Sequence, residues 1–180
     1  DEPSWEDLAT GAAAVRVDDG AMLVWRAQGA EHLAGQSIAV GLLLPTGSRR
    51  GTDFDVTTIA ARDPGPPAIA FSGRTFLVAW EDRRDVDLDD DDVPDPDVGI
   101  WARIVADGLV GFAGDEFAIA PARYEASRPA LVWTGDSFLV AWQDYRTGNS
   151  EIYVARIGEE GGIEPPEAFQ VTDTLGASRL

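Results

Sequence analysis

The sequence copies itself at a spacing of 62 residues. Pro67-Ala-Ile-Ala-Phe-Ser-Gly-Arg-Thr-Phe-Leu-Val-Ala-Trp80 returns as Pro129-Ala-Leu-Val-Trp-Thr-Gly-Asp-Ser-Phe-Leu-Val-Ala-Trp142. No gap is needed, and both copies end in Phe-Leu-Val-Ala-Trp. A looser copy, Ala13-Ala-Val-Arg-Val-Asp-Asp-Gly-Ala-Met-Leu-Val-Trp25, lies upstream. Repetition at this scale means a small unit that cannot bury its apolar face alone and does so against its neighbours.

Each unit reads as β structure. Sustained apolar spacing at three and four residues with caps is missing, so helices are not expected. Short apolar runs instead alternate with Gly, Asp, Ser and Pro clusters, the pattern of strands and turns. The third unit predicts strands near 129–133, 137–143, 151–157 and 168–172. The second predicts 67–71, 75–81, 99–105 and 116–120. The first predicts 12–17, 21–26, 36–44 and 54–60. Within it, Ile38-Ala-Val-Gly-Leu-Leu-Leu44 is continuously apolar, which fits a strand covered on both faces.

Four strands in about 50 residues is the size of a β-propeller blade. The expected architecture is therefore all-β, with three four-stranded propeller-type blades. Residues 1–11 form an edge or closing segment, 12–61 a degenerate blade, 62–125 a second blade with an acidic insertion at 85–97, and 126–176 a third. Ala126-Ser-Arg128 recurs as Ala177-Ser-Arg179, so residues 177–180 read as the start of a further repeat. Asp1 stands first in place of a methionine, as in a processed chain or a piece of a longer one. Closed propellers use about four to eight blades, so three units call for completion by another copy or another chain. Two copies giving six blades is one solution.

Charge narrows the partners. Fourteen Lys and Arg stand against 32 Asp and Glu, a net charge of −18. Such a field repels phosphate backbones and argues against nucleic acid. Without the eight aspartates of Asp85–Asp97 the charge would be −10. Cysteine is absent, which removes disulfides, thiolate metal sites and a cysteine nucleophile. No apolar run approaches the ~20 residues a membrane helix needs.

Two units continue past the tryptophan in the same way. Trp80-Glu-Asp82-Arg-Arg84 is followed by Ile100-Trp101-Ala102-Arg103, and Trp142-Gln-Asp144-Tyr-Arg146 by Ile152-Tyr153. Ala102-Arg103-Ile104 also resembles Ala155-Arg156-Ile157 if one residue is gapped. In this run the chain resembles the β-propeller-like repeats of large secreted and surface proteins of bacteria, over about residues 12–180. The first unit keeps Trp25 but has Ala27 and Gly29 in place of Asp and Arg. The resemblance implies a propeller fold and an extracellular or cell-surface location. It implies no single activity, since propellers host many. The chain is also distantly similar to the sialidase Asp-box propellers, but it lacks the Ser-x-Asp-x-Gly-x-Thr-Trp box.

Two features are candidate sites. Trp80, Asp82, Arg84, Trp101, Trp142, Asp144, Arg146 and Tyr153 combine carboxylate, guanidinium and aromatic faces, the groups that hold sugars. The same groups could instead lock a turn, with Asp bonding turn amides and pairing with Arg. A motif repeated once per blade favours that structural use. The second candidate is Asp85–Asp97. Dense hard oxygens suit Ca²⁺, and Asp85, Asp87, Asp89, Asp91, Asp95 and Asp97 are the expected ligands. The alternatives are a solvated acidic loop or a dock for a basic partner. The single histidine, His32, cannot build an ordinary zinc site without cysteines.

The functional expectation is a non-enzymatic, exported structural or binding module in a multi-chain or larger surface assembly, with calcium as the stabilising ion. A carbohydrate-binding propeller lectin is the first alternative. A glycoside hydrolase-like enzyme is the second, although no Asp/Glu pair is marked for the chemistry.

Overall fold

The computed structural model describes residues 10–28, 36–58, 64–84, 98–106, 111–120 and 125–173. The described residues are all-β, with no helix among them. The first sheet contains β1 (Thr10–Val17), β2 (Gly20–Gln28), β3 (Gln36–Leu43) and β4 (Arg49–Asp55). The second contains β5 (Ala68–Phe71), β6 (Thr75–Asp82), β7 (Gly99–Ala106) and β8 (Phe117–Ala120). The third contains β9 (Ser127–Trp133), β10 (Phe138–Asp144), β11 (Glu151–Ile157) and β12 (Ile163–Gln170). Each sheet is an antiparallel meander in chain order. Short Gly-bearing turns make this possible: Gly73 and Gly135 take φ of +99° and +107° between the first two strands of their sheets, values that favour glycine.

Register makes the three sheets equivalent residue by residue. Trp25, Trp80 and Trp142 stand opposite Ala39, Trp101 and Tyr153. The third strands align without a gap. Leu77 pairs with Ile104 and Leu139 with Arg156. Arg156 is thus the counterpart of Ile104, and the gapped match to Arg103 is corrected. The difference is physical, because a one-residue slip sends a side chain to the other face. Arg103 is buried, donating from Nη1 to Val56 O at 2.8 Å and from Nε to Gly114 O at 3.0 Å. Burial lowers its pKa, an effect that Glu116 and Asp115 oppose.

The fourth strands share a further motif. Phe54, Phe117 and Phe169 pair with the equivalent residues Val40, Ala102 and Val154. Each phenylalanine is followed two residues later by Val56, Ile119 or Val171. β4 and β12 also begin earlier than expected, at Arg49 and Ile163. Their ladders shift register midway, opposite Val40/Leu42 and Val154/Arg156. In β12 the shift spans Pro165 and Pro166, which lack the N–H a ladder needs.

The sheets stack face to face. Met22, Val24, Ile38, Val40 and Val56 of the first pack against Ile69, Phe76, Val78, Trp80 and Val105 of the second. The other face of the second, with Leu77, Ala79, Ile100, Ala102 and Ile104, packs on Phe138, Val140, Trp142, Tyr153, Ala155 and Ile157 of the third. The second sheet is therefore covered on both sides, and Phe76 to Trp80 of β6 are buried without alternation. The third is covered on one side, and β10 alternates buried with half-buried residues. First strands neighbour first strands, β1 beside β5 and β5 beside β9. In the apolar run of β3, Ala39 and Gly41 face away from the second sheet yet are buried. A Cβ on Gly41 would meet the Trp25 ring and the Asp53 carboxylate, so the first sheet covers this glycine with its own side chains.

Candidate functional site

The two complete Trp-x-Asp-x-Arg motifs form the same corner. Trp80 and Asp82 are two residues apart on a strand, so their side chains share a face. The indole of Trp80 donates to Asp82 Oδ2 at 3.1 Å. The chain turns after Asp82, and the Arg84 amide donates to Asp82 Oδ1 at 3.0 Å. This is an Asx-type turn, in which the carboxylate replaces a backbone acceptor. Arg84 folds back and donates from Nε to Asp82 Oδ2 at 2.8 Å. Its guanidinium carbon lies 4.1 Å from the centre of the Trp101 ring, a cation–π contact. In the third sheet the Trp142 indole reaches Asp144 Oδ2 at 3.0 Å, and the Arg146 amide reaches Oδ1 at 2.9 Å. Arg146 Nε and Nη2 donate to the two carboxylate oxygens at 3.0 and 2.6 Å. Its guanidinium lies 4.2 Å from the Tyr153 ring centre.

The corners differ in cover. Arg84 is 7% exposed and also pairs with Glu116. The other oxygen of Glu116 accepts the Thr58 hydroxyl at 2.9 Å and the Thr58 amide. That chain of bonds ties the second sheet to the end of the first. The equivalent of Glu116 in the third sheet is Ala168, one residue before the shared phenylalanine. There the Arg146 side chain is 24% exposed, and Tyr145 beside it is exposed. Burial pushes the Asp144 pKa up, but the bonds from Arg146, the Trp142 indole and the Arg146 amide outweigh it, so the carboxyl titrates below its ordinary value. In the first unit, Ala27 is buried where the other two have Asp.

Chemically, each corner is a closed brace. A buried carboxylate takes bonds from an indole, an amide and a guanidinium, and an aromatic ring covers the guanidinium. The structure thus brings Trp80, Asp82, Arg84 and Trp101 into one cluster and Trp142, Asp144, Arg146 and Tyr153 into another. Glu116 and Thr58 completed the buried cluster without a sequence signal, because they lie 32 and 26 residues from Arg84 in opposite directions along the chain. Asp85, Asp87, Asp89, Asp91, Asp95 and Asp97 lie outside the described residues, as does His32. Among the described residues, no group of three or more His, Cys, Asp or Glu is placed to hold a metal ion. No helix among them is long and apolar enough to cross a membrane. No protein-family model matches this chain, and no curated protein matches it.

Proposed function

We propose that the chain is a β-propeller-type module that works as an exported, non-enzymatic structural or binding element of a larger surface assembly. The observation that carries the reading is the Trp-Asp-Arg corner. Built twice from the same atoms, it spends its carboxylate and guanidinium on bracing the second-to-third-strand turn. Groups spent in this way serve the blade rather than a substrate. Three equivalent meanders stacked with neighbouring first strands support the propeller form. The resemblance to bacterial surface repeats supports export, and Asp85–Asp97 supports calcium as the stabilising ion outside a cell.

Protease treatment of intact source cells tests the location and the assembly together. The protein should be cleaved from outside, and gentle extraction should release it in a high-mass fraction. Protection inside intact cells together with recovery as a free 19.3 kDa chain would overturn the proposal.

A carbohydrate-binding role is favoured at the third corner, where Arg146 is partly open and Tyr145 is exposed. This reading gives one sugar site per chain rather than one per blade. A glycan array should then show binding that Tyr145→Ala removes. An array without hits ends it.

A further inference from the structure

The third sheet leaves uncovered the face that the other two sheets bury. Val56 and Ile119 are 0% and 4% exposed, because the following sheet covers them. Their counterpart Val171 is 57% exposed, and Phe169 and Val132 on the same face are 46% and 52% exposed. Leu139, Ala141 and Ile152, half-buried, share this face with Arg156, which pairs with Asp136 and Glu164 at its edge. The opposite end of the stack carries its complement. On the outward face of the first sheet, Ala14, Ala21 and Ala39 stand where the second has Ile69, Phe76 and Trp101. Ala12 and Ala14 are exposed, and Leu23 and Trp25 are half-buried.

The two outward faces match in volume. Inside the stack, small residues of the second sheet (Ala70, Ala79 and Ala102) lie against Phe138, Trp142 and Tyr153 of the third. At the ends the sizes invert at two of these three positions. Val132 and Val154 replace Ala70 and Ala102 on the third sheet, while on the first Ala21 and Ala39 stand in the places of Phe138 and Tyr153; Trp25 and Ala141 keep the sizes of Trp142 and Ala79. Large on small fills an interface as well as small on large.

They also match in charge. Between the second and third sheets, the turn Ser72-Gly73-Arg74 receives the hairpin that follows β11. Ser72 donates to Glu159 Oε1 at 2.6 Å, and Arg74 pairs with Oε2 at 3.2 Å. The matching turn of the third sheet is Thr134-Gly135-Asp136, with Asp136 in the place of Arg74. The matching hairpin of the first sheet follows β3. It has the same backbone bonds, Leu44 N to Ser48 O and Gly47 N to Leu44 O, as Gly158 N to Gly162 O and Gly161 N to Gly158 O. It carries Arg49 and Arg50 where the other carries Ile163 and Glu164. The signs at the two ends are thus opposite to those of the internal pair, although Pro45 takes the place of Glu159 and the basic residues follow on the returning strand; within the chain Asp136 pairs with Arg156 and Arg50 with Asp19, each at 3.5 Å.

We infer that a second copy of this chain docks head to tail, the outward face of its first sheet covering the open face of the third in the register of the internal interfaces. Two copies then join through two such junctions and close six sheets, three from each. The inference rests on the propeller reading above and names the partner that completes it.

Light scattering of the full chain tests it. The expected mass is twice 19.3 kDa. Val171→Asp and Ala14→Arg, each alone, should leave a monomer with an unchanged circular dichroism spectrum. An equimolar mixture should return to twice the chain mass, because one junction pairs the two unaltered faces. Asp136→Lys should weaken association at least tenfold, and Arg50→Glu in the same chain should restore it. If Val171→Asp does not fold, Ala14→Arg and the Asp136/Arg50 exchange decide alone. A wild-type monomer at every concentration would overturn the inference, as would open-ended growth or a dimer that survives Ala14→Arg. None of these outcomes bears on surface location, which cell-surface proteolysis tests separately.

Discussion

Trp142 shows how much one residue does in this fold. Its indole is 1% exposed, fills the interface of the second and third sheets, and donates to Asp144. Trp142→Ala should cost on the order of 3–5 kcal/mol, measured by urea unfolding. An unchanged midpoint would show that the side chain does not hold the sheets together. Asp82 and Asp144 separate two environments of one motif. Removing Asp82 strips a partner from a guanidinium that is nearly fully buried, which costs about 3–5 kcal/mol. Asp144→Ala should cost less, since water reaches Arg146. Equal losses would contradict the difference in cover. Acid should weaken the third corner as well. Because the native Asp144 pKa is lowered, its contribution is full above the unfolded value near pH ~4 and is lost as pH falls through the native value. Asp144→Asn should therefore flatten the fall in stability below pH ~4, and a fall as steep as in the wild type would exclude this carboxylate as its source.

At the scale of elements, the meander depends on positions where a side chain has no room. Gly20 opens β2 with φ +147°, and a Cβ there would lie 2.0 Å from Leu43 O. Backbone cannot yield as a flexible side chain does, so Gly20→Ala should destabilise by on the order of 1–3 kcal/mol, read as a lowered melting temperature. If melting is unchanged, the β2–β3 approach is looser than the structure has it. The acidic segment gives a second test at this scale. Calcium should raise the melting temperature by several degrees, and replacing Asp87, Asp89 and Asp91 with Asn should abolish the rise. If the wild type shows no rise, calcium has no stabilising role. The strand pattern was largely legible because each strand is a short apolar run between turn residues. β8 was legible in full, but β4 and β12 were legible in their later halves alone. Their earlier halves are Arg49-Arg50-Gly51 and Ile163-Glu164-Pro165-Pro166, which carry no alternating apolar signal, and tight hairpins pair them.

For the whole molecule, stacking decides which residues count as core. The run Phe76-Leu-Val-Ala-Trp80 is buried throughout, whereas the identical Phe138-Leu-Val-Ala-Trp142 alternates. One sequence has two burial patterns because the second sheet has two neighbours and the third has one. The same asymmetry places Arg156, half-exposed and paired with Asp136 and Glu164, where the second sheet buries Ile104. The mass measurement on the full chain belongs to this scale, since apolar faces exposed at a stack's end invite association.

The sequence by itself determined three units, their β character and the tryptophan at the end of each second strand. Those are local facts, fixed by apolar runs, turn chemistry and duplication. Register, the facing of Arg103 and Arg156, the Glu116–Thr58 tie and the open side of the third sheet were decided by tertiary structure alone. A strand's pattern says that one face is apolar, but what lies against that face depends on residues far away in the chain.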